Sequence, residues 1–216
     1  MTIPPDQSEV ARFLSAISGA PPRETHISAV FIGPDTVWKL KKAVRMPFLD
    51  FTTVAARRHF LQRELQLNQP TAPAIYRDVI AVARRPDGTL ALGEGEPVDW
   101  VLRMARVPSQ NFLDGIVARN ELTPQLLDAL GDCVFDCHAR LPPSPDWDSV
   151  ASMRRIADGN AISARAAGLP EPRVAAWRRG IEGEINAVAP ILTKRSAAGF
   201  VRRCHGDLHL ANVCLW

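Results

Sequence analysis

Two runs near the start of the chain, 25–32 (THISAVFI) and 36–44 (TVWKLKKAV), are rich in β-branched and aromatic residues and are parted by Gly33-Pro34-Asp35. That texture predicts a hairpin with a short turn. Past Pro47, the side chains of Asp50, Thr52 and Thr53 can cap a helix, and Val54, Leu61, Leu65 and Asn68 follow at helical spacing. A helix is expected over 53–68. The runs 74–83 (AIYRDVIAVA) and 97–104 (PVDWVLRM) again read as strands, bracketing the turn signal Arg85-Pro86-Asp87-Gly88. The first hundred residues therefore read as two hairpins and one inserted helix.

The pattern then changes period. Thr123 as N-cap and Pro124 at the first helical position open a run with Leu126, Leu127, Leu130, Val134 and Cys137 on one stripe. Leu141 to Asp146 is a Pro-rich loop, and Val174, Trp177, Ile181, Ile185 and Val188 mark a further amphipathic helix expected to end before Pro190. No internal repeat or low-complexity tract interrupts the chain. A β-rich part gives way to an α-rich part near 105–110, so the fold class is α+β with units 1–104 and 105–216.

Composition narrows the function classes. A hydrophobic content of 46% over 216 residues is ample for a packed core. Net charge is only +3, from 26 basic and 23 acidic residues dispersed along the chain, which leaves no nucleic-acid or membrane footprint. The expected partners are small molecules or proteins. No stretch approaches the roughly 18 apolar residues of a membrane span, and Met1 to Val10 carries two prolines and two acids before any apolar run, so the expected compartment is the cytoplasm. Cys133, Cys137, Cys204 and Cys214 lack a CxxC spacing and read as reduced thiols.

The densest chemistry lies at Cys204-His205-Gly206-Asp207-Leu208-His209-Leu210-Ala211-Asn212, entered from Phe200-Val201 and left by Val213-Cys214-Leu215, a strand, polar loop, strand arrangement. An Asp five residues before an Asn suits phosphoryl transfer. The carboxylate can orient a hydroxyl nucleophile and accept its proton, and the amide oxygen can hold a Mg²⁺ that bridges phosphates. Cys204, His205, Asp207 and His209 are also zinc-ligand types, which opens a metal-hydrolase alternative. Cys133, Cys137 and His138 are the upstream Cys/His group such a site could draw on, but the cysteines sit four apart on the apolar stripe of a helix, where thiols are ordinary packing.

A second signal lies on the run 36–42, where Val37, Lys39 and Lys41 share one face of a strand and Trp38 and Leu40 take the other. In the helix that follows, Glu64 borders the apolar stripe, where an unpaired carboxylate is costly. A strand lysine paired with a helix glutamate is how kinases hold the α- and β-phosphates of ATP. Lys39 and Glu64 are the expected pair, with Lys41 the rival about 7 Å along the same face.

HGDLHxxN at 205–212 resembles the catalytic loop of the aminoglycoside-phosphotransferase family, whose protein-kinase-like relatives carry HRDxxxxN. THISAVFIGPDTVWKLKK, FLDF, RELQLN, VDWVLRM and CHGDLHLANVCL extend the likeness over most of the chain, toward a bacterial subgroup often fused to a P-loop ATPase domain. The resemblance implies a two-lobed protein-kinase-like fold: an N-terminal lobe of antiparallel sheet plus helix and an incomplete helical C-terminal lobe. It implies ATP and Mg²⁺ as cofactors and a small-molecule hydroxyl as acceptor. Asp207 would be the catalytic base, His205 a structural anchor of the loop, and Asn212 a metal ligand. Trp100 to Met104, with Arg103 and Met104, would form a hinge whose backbone meets the adenine, and Val37 would roof the base.

The chain departs from that pattern in two places. No GxGxxG precedes the lysine strand, the nearest candidate for a phosphate-covering loop being Ser18-Gly19-Ala20-Pro21. The second metal-binding Asp that kinases place beyond the loop Asn is missing, since the sequence stops at Trp216, so this form is expected to be inactive alone. The alternative function is a non-catalytic nucleotide-binding or interaction module of kinase shape.

Overall fold

The computed structural model describes residues 2–46 and 49–216; Pro47 and Phe48, the latter opening the FLDF run, lie outside the described residues. After a 3₁₀ turn at Pro5–Gln7, the chain forms α1 (Ser8–Ser18), β1 (Arg23–Glu24), β2 (Ser28–Ile32), β3 (Thr36–Lys41), β4 (Arg45–Met46), β5 (Leu49–Asp50) and α2 (Val54–Asn68). It continues through β6 (Tyr76–Arg84), β7 (Leu90–Leu92) and β8 (Glu96–Ala105), then a 3₁₀ turn at Ser109–Asn111 and α3 (Leu113–Ala118). Helices α4 (Pro124–Arg140), α5 (Ser149–Ala166) and α6 (Glu171–Ala197) follow, with a last 3₁₀ turn at Leu210–Asn212. The fold is mixed α+β, an antiparallel sheet with helices. Its contacts divide it into two compact units, Met1–Glu121 with Leu210–Trp216, and Leu122–His209.

In the first unit six strands form one sheet in the order β1-β2-β3-β8-β6-β7. The predicted 25–44 hairpin is β2 and β3, paired Val30 to Lys39 and Phe31 to Trp38. Gly33 is required in its turn because a Cβ there would stand 2.9 Å from the Trp38 ring. The second pair differs from expectation. Arg85 to Gly88 joins β6 to the short strand β7, whereas β8 pairs with both β6 and β3 and becomes the central strand. A three-residue strand such as Leu90–Leu92 is too brief to show alternation.

Helix α1 is absent from the sequence reading, although Val10, Phe13, Leu14 and Ile17 fall at helical spacing. Val10 and Leu14 pack into a core with Ala29, Phe31, Trp38, Leu40, Val82 and Val101. Gly19, at φ 76°, is the left-handed C-cap of this helix, its N–H donating to the Ser15 carbonyl. Ser18-Gly19-Ala20-Pro21 therefore holds the stop of α1.

Thr53 caps α2 by accepting from the Ala56 N–H, as expected, and the stripe turned to the sheet is Arg57, Leu61, Glu64, Leu65 and Asn68. Two of those five carry charge, which makes the helix's inner face a chemical surface as well as a packing one.

In the second unit, Thr123 caps α4 through the Leu126 N–H. Helix α5 escaped the sequence reading because its buried residues are Ser152, Ala157 and Ala161, too small to make an apolar stripe. It packs on α6 through Val174 and Ile185, with Arg154 reaching Glu182 at 2.9 Å and Arg178 reaching Asp158 at 2.7 Å. Helix α6 runs through Pro190 instead of stopping there. Proline removes one backbone bond and crowds the preceding turn, but the buried Ser196 hydroxyl, within reach of the Pro145 and Trp147 carbonyls, ties down the final turn beyond it.

Candidate functional site

The sheet face that carries Val37, Lys39 and Lys41 also carries Leu102 and Met104, because opposed residues of an antiparallel pair share a face and Lys39 faces Leu102 while Val37 faces Met104. Helix α2 brings Glu64 to this face. One carboxylate oxygen lies 2.6 Å from Lys39 Nζ, and the other lies 2.6 Å from Lys41 Nζ. The sequence reading allowed Glu64 a single lysine. Both reach it, because residues two apart on a strand project to the same side and a carboxylate has two oxygens.

The two lysines differ in setting. The Lys39 side chain is 27% exposed and that of Lys41 only 9%. Lys41 Nζ also stands 5.5 Å above the Phe51 ring. Burial pushes the Lys41 ammonium below its ordinary value, opposed by the Glu64 charge. For Glu64 burial pushes upward, but Lys39 and Lys41 together outweigh it and hold the carboxyl below its usual value of 4.5. Burial, and then Glu64, push the Tyr76 phenol up.

A carboxylate with a depressed folded value contributes stability that is complete above its unfolded value and lost as pH falls through the folded one. Glu64→Gln is therefore expected to flatten the decline in stability below pH 4.5. Urea unfolding at a series of acid pH values measures this, and an unchanged slope would count against the ionic pairing.

Of the expected hinge residues, Arg103 opposes Trp38 and so lies on the other face, where its guanidinium grips both oxygens of Asp78. Val101 to Met104 lies inside β8 with β3 on one side and β6 on the other, whereas Trp100 pairs with β6 alone and its N–H donates to Asp99 Oδ1 at 2.9 Å. The Ala105 N–H donates to the Ile75 carbonyl and the Arg106 N–H to that of Asp35, so backbone outside the sheet begins after those two residues.

The loop at 204–209 is not framed by strands. Runs of two or three apolar residues are too short for a ladder, and what forms is one bridge between Pro143 and Arg202 and another between Phe112 and Cys214. His205 Nδ1 accepts the Asp207 N–H at 3.3 Å, an anchoring bond within the loop. The Asp207 carboxylate, 78% exposed, lies 3.7 Å from His209 Nε2. His205 and Asp207 belong to the second unit and Asn212 to the first. There Asn212 ends a 3₁₀ turn carried by a segment whose Val213 carbonyl accepts the Leu113 N–H and whose Leu215 N–H donates to Asn111. Among the described residues no group of three His, Cys, Asp or Glu side chains is placed to hold a metal ion, so the zinc set is not assembled.

No family model matches the chain. No solved structure matches it significantly. Over 135 residues, 62% of the chain, it is 32% identical to uncharacterized proteins of Mycobacterium bovis (strain ATCC BAA-935 / AF2122/97) and Mycobacterium tuberculosis (strains CDC 1551 / Oshkosh and ATCC 25618 / H37Rv). The chain spans 26% of the length of these curated relatives. Among the described residues no helix is long and apolar enough to cross a membrane.

A buried ionic cluster lies beside the lysines, and the sequence reading missed it. The Asp99 carboxylate, 1% exposed, receives Arg57 Nε at 2.8 Å, Arg57 Nη2 at 3.0 Å and Gln7 Nε2 at 2.7 Å. Arg57 also donates to the Phe51 and Thr52 carbonyls, and Gln7 Oε1 accepts the Ala43 N–H. The cluster joins α2, β8 and the N-terminal 3₁₀ turn. The one sequence signal for it is Arg57, four residues before Leu61 and seven before Glu64 on a single stripe.

Proposed function

We propose that this chain supplies the nucleotide-binding unit and the catalytic loop of a protein-kinase-like, two-lobed phosphotransferase of the aminoglycoside-phosphotransferase type, acting with ATP and Mg²⁺ on a hydroxyl of a small molecule. The observation that carries the reading is the ion pair of Lys39 on β3 with Glu64 on α2, at 2.6 Å. A partly exposed ammonium oriented by a carboxylate can meet the phosphates of a nucleotide. Val37 and Met104, opposed on the same face, would offer the base an apolar seat, and the backbone after Arg106 would take the hinge role.

In the loop, Asp207 would orient the acceptor hydroxyl and receive its proton as the oxygen attacks the γ-phosphorus and ADP departs, while His205 keeps the loop backbone in place. The amide oxygen of Asn212 is a hard donor that would suit Mg²⁺, which when bound supplies neutralisation of phosphate charge. A fused or partner P-loop ATPase domain and a cytoplasmic setting belong to the same proposal.

Calorimetric titration with ATP and Mg²⁺ tests the reading. Lys39→Ala is expected to weaken binding about 10- to 100-fold, the range of a hydrogen bond to a charged group. Glu64→Gln should weaken it less, since the phosphate-binding charge remains. Failure of the wild type to bind ATP, or an undiminished affinity in Lys39→Ala, would overturn it. Turnover, not binding, separates the enzyme from a non-catalytic module of the same shape.

A further inference from the structure

We propose that Lys41 is a positioning residue: it holds Glu64 in place, and keeps its charge compensated, while Lys39 is given over to a phosphate-bearing ligand. The inference rests on the reading of Lys39 as the phosphate contact and adds a role to the lysine beside it. Two cations share one carboxylate, each on its own oxygen at 2.6 Å. A single carboxylate balances one ammonium, so the site holds a surplus positive charge that an anion can use.

The exposures decide which lysine moves. Lys39, 27% exposed, has room to turn toward an incoming polyphosphate. Lys41, 9% exposed with the Phe51 ring against its ammonium, stays with Glu64. Were Lys39 the sole partner, drawing it off would strand a mostly buried carboxylate, a costly state. Glu64 would then compete with the ligand for Lys39. Lys41 removes that competition without touching the ligand itself.

A double-mutant cycle read by calorimetry, with Mg²⁺-ATP and inorganic tripolyphosphate as probes, tests this. Lys41→Met is expected to weaken both probes about tenfold, and in a Glu64→Gln background, where no carboxylate needs holding, the same change should cost less than about twofold. Lys41→Arg, which keeps the charge, should restore most of the affinity. A merely structural lysine would lower the melting temperature without this dependence on Glu64. Equal penalties in both backgrounds would mean that Lys41 meets the phosphates directly, and no penalty in either would mean it does nothing for binding; each overturns the proposal. Should Lys41→Met fail to fold, Lys41→Gln gives a second uncharged side chain for the same cycle. Absence of binding by the wild type would instead remove the phosphate reading beneath it, a result distinguishable at the first titration.

Discussion

In a form extended past Trp216 to include a downstream metal-binding Asp, Asp207→Asn is expected to reduce phosphotransfer by about 10²- to 10⁴-fold, the usual contribution of a positioned general base, while ATP affinity and thermal stability stay close to those of the unsubstituted protein. The substitution is nearly isosteric, and a side chain 78% exposed supports little packing, so folding should not be affected. What is lost is the proton acceptor. The measurement is transfer of the γ-phosphoryl group from ATP to a panel of hydroxylated small molecules, with melting curves recorded in parallel. Turnover that survives the change would remove Asp207 from the chemistry, and no turnover in the unsubstituted extended form with intact ATP binding would favour the non-catalytic module.

The second large effect is on stability. Asp99→Ala is expected to cost about 3–5 kcal/mol, because removing one partner of a buried ion pair leaves the other charge uncompensated. Arg57 is 4% exposed and would keep two backbone carbonyls but lose both contacts to the carboxylate. Gln7 would lose an acceptor as well, and with it part of the link between the first 3₁₀ turn and β8. Against the 5–15 kcal/mol of an ordinary domain, that is enough to shift the urea midpoint well down. Replacing both charges together, as Arg57→Met with Asp99→Leu, should recover much of the loss. A single-variant cost below about 1 kcal/mol would show that the pair is better solvated than its burial implies.

Local chemistry in the sequence was a good guide where one residue's role is set by its immediate neighbours. Thr53 and Thr123 cap helices because each precedes a run of helix formers, and both caps form. The β2–β3 hairpin follows from a Gly-Pro-Asp turn between β-branched runs, and the Lys39 to Glu64 pairing from strand alternation and a charge on an apolar border. Failures came where a distant partner decides. Asp99 reads as one acid in a strand-like run, and only the fold brings Arg57 to it from 42 residues away. Pro190 looked like a stop because Ser196, whose acceptors lie some 50 residues back in the chain, could not be seen to anchor the turn beyond it. Met104 and Arg103 are adjacent in sequence, yet the pleat puts them on opposite faces, and only the register with β3 says which one joins Lys39.

The Arg57–Asp99 bond also sets how α2 can move. It fixes the helix near its first turn, and Glu64 lies seven residues further on, about 10 Å along the axis. The helix is thus a lever with its fulcrum at Arg57 and its working point at Glu64. A swing of about ten degrees carries Glu64 roughly 2 Å, which is enough to part it from both ammonium groups. Helix movement would therefore take the carboxylate from both lysines together, whereas Lys39 can leave it alone only by turning its own side chain.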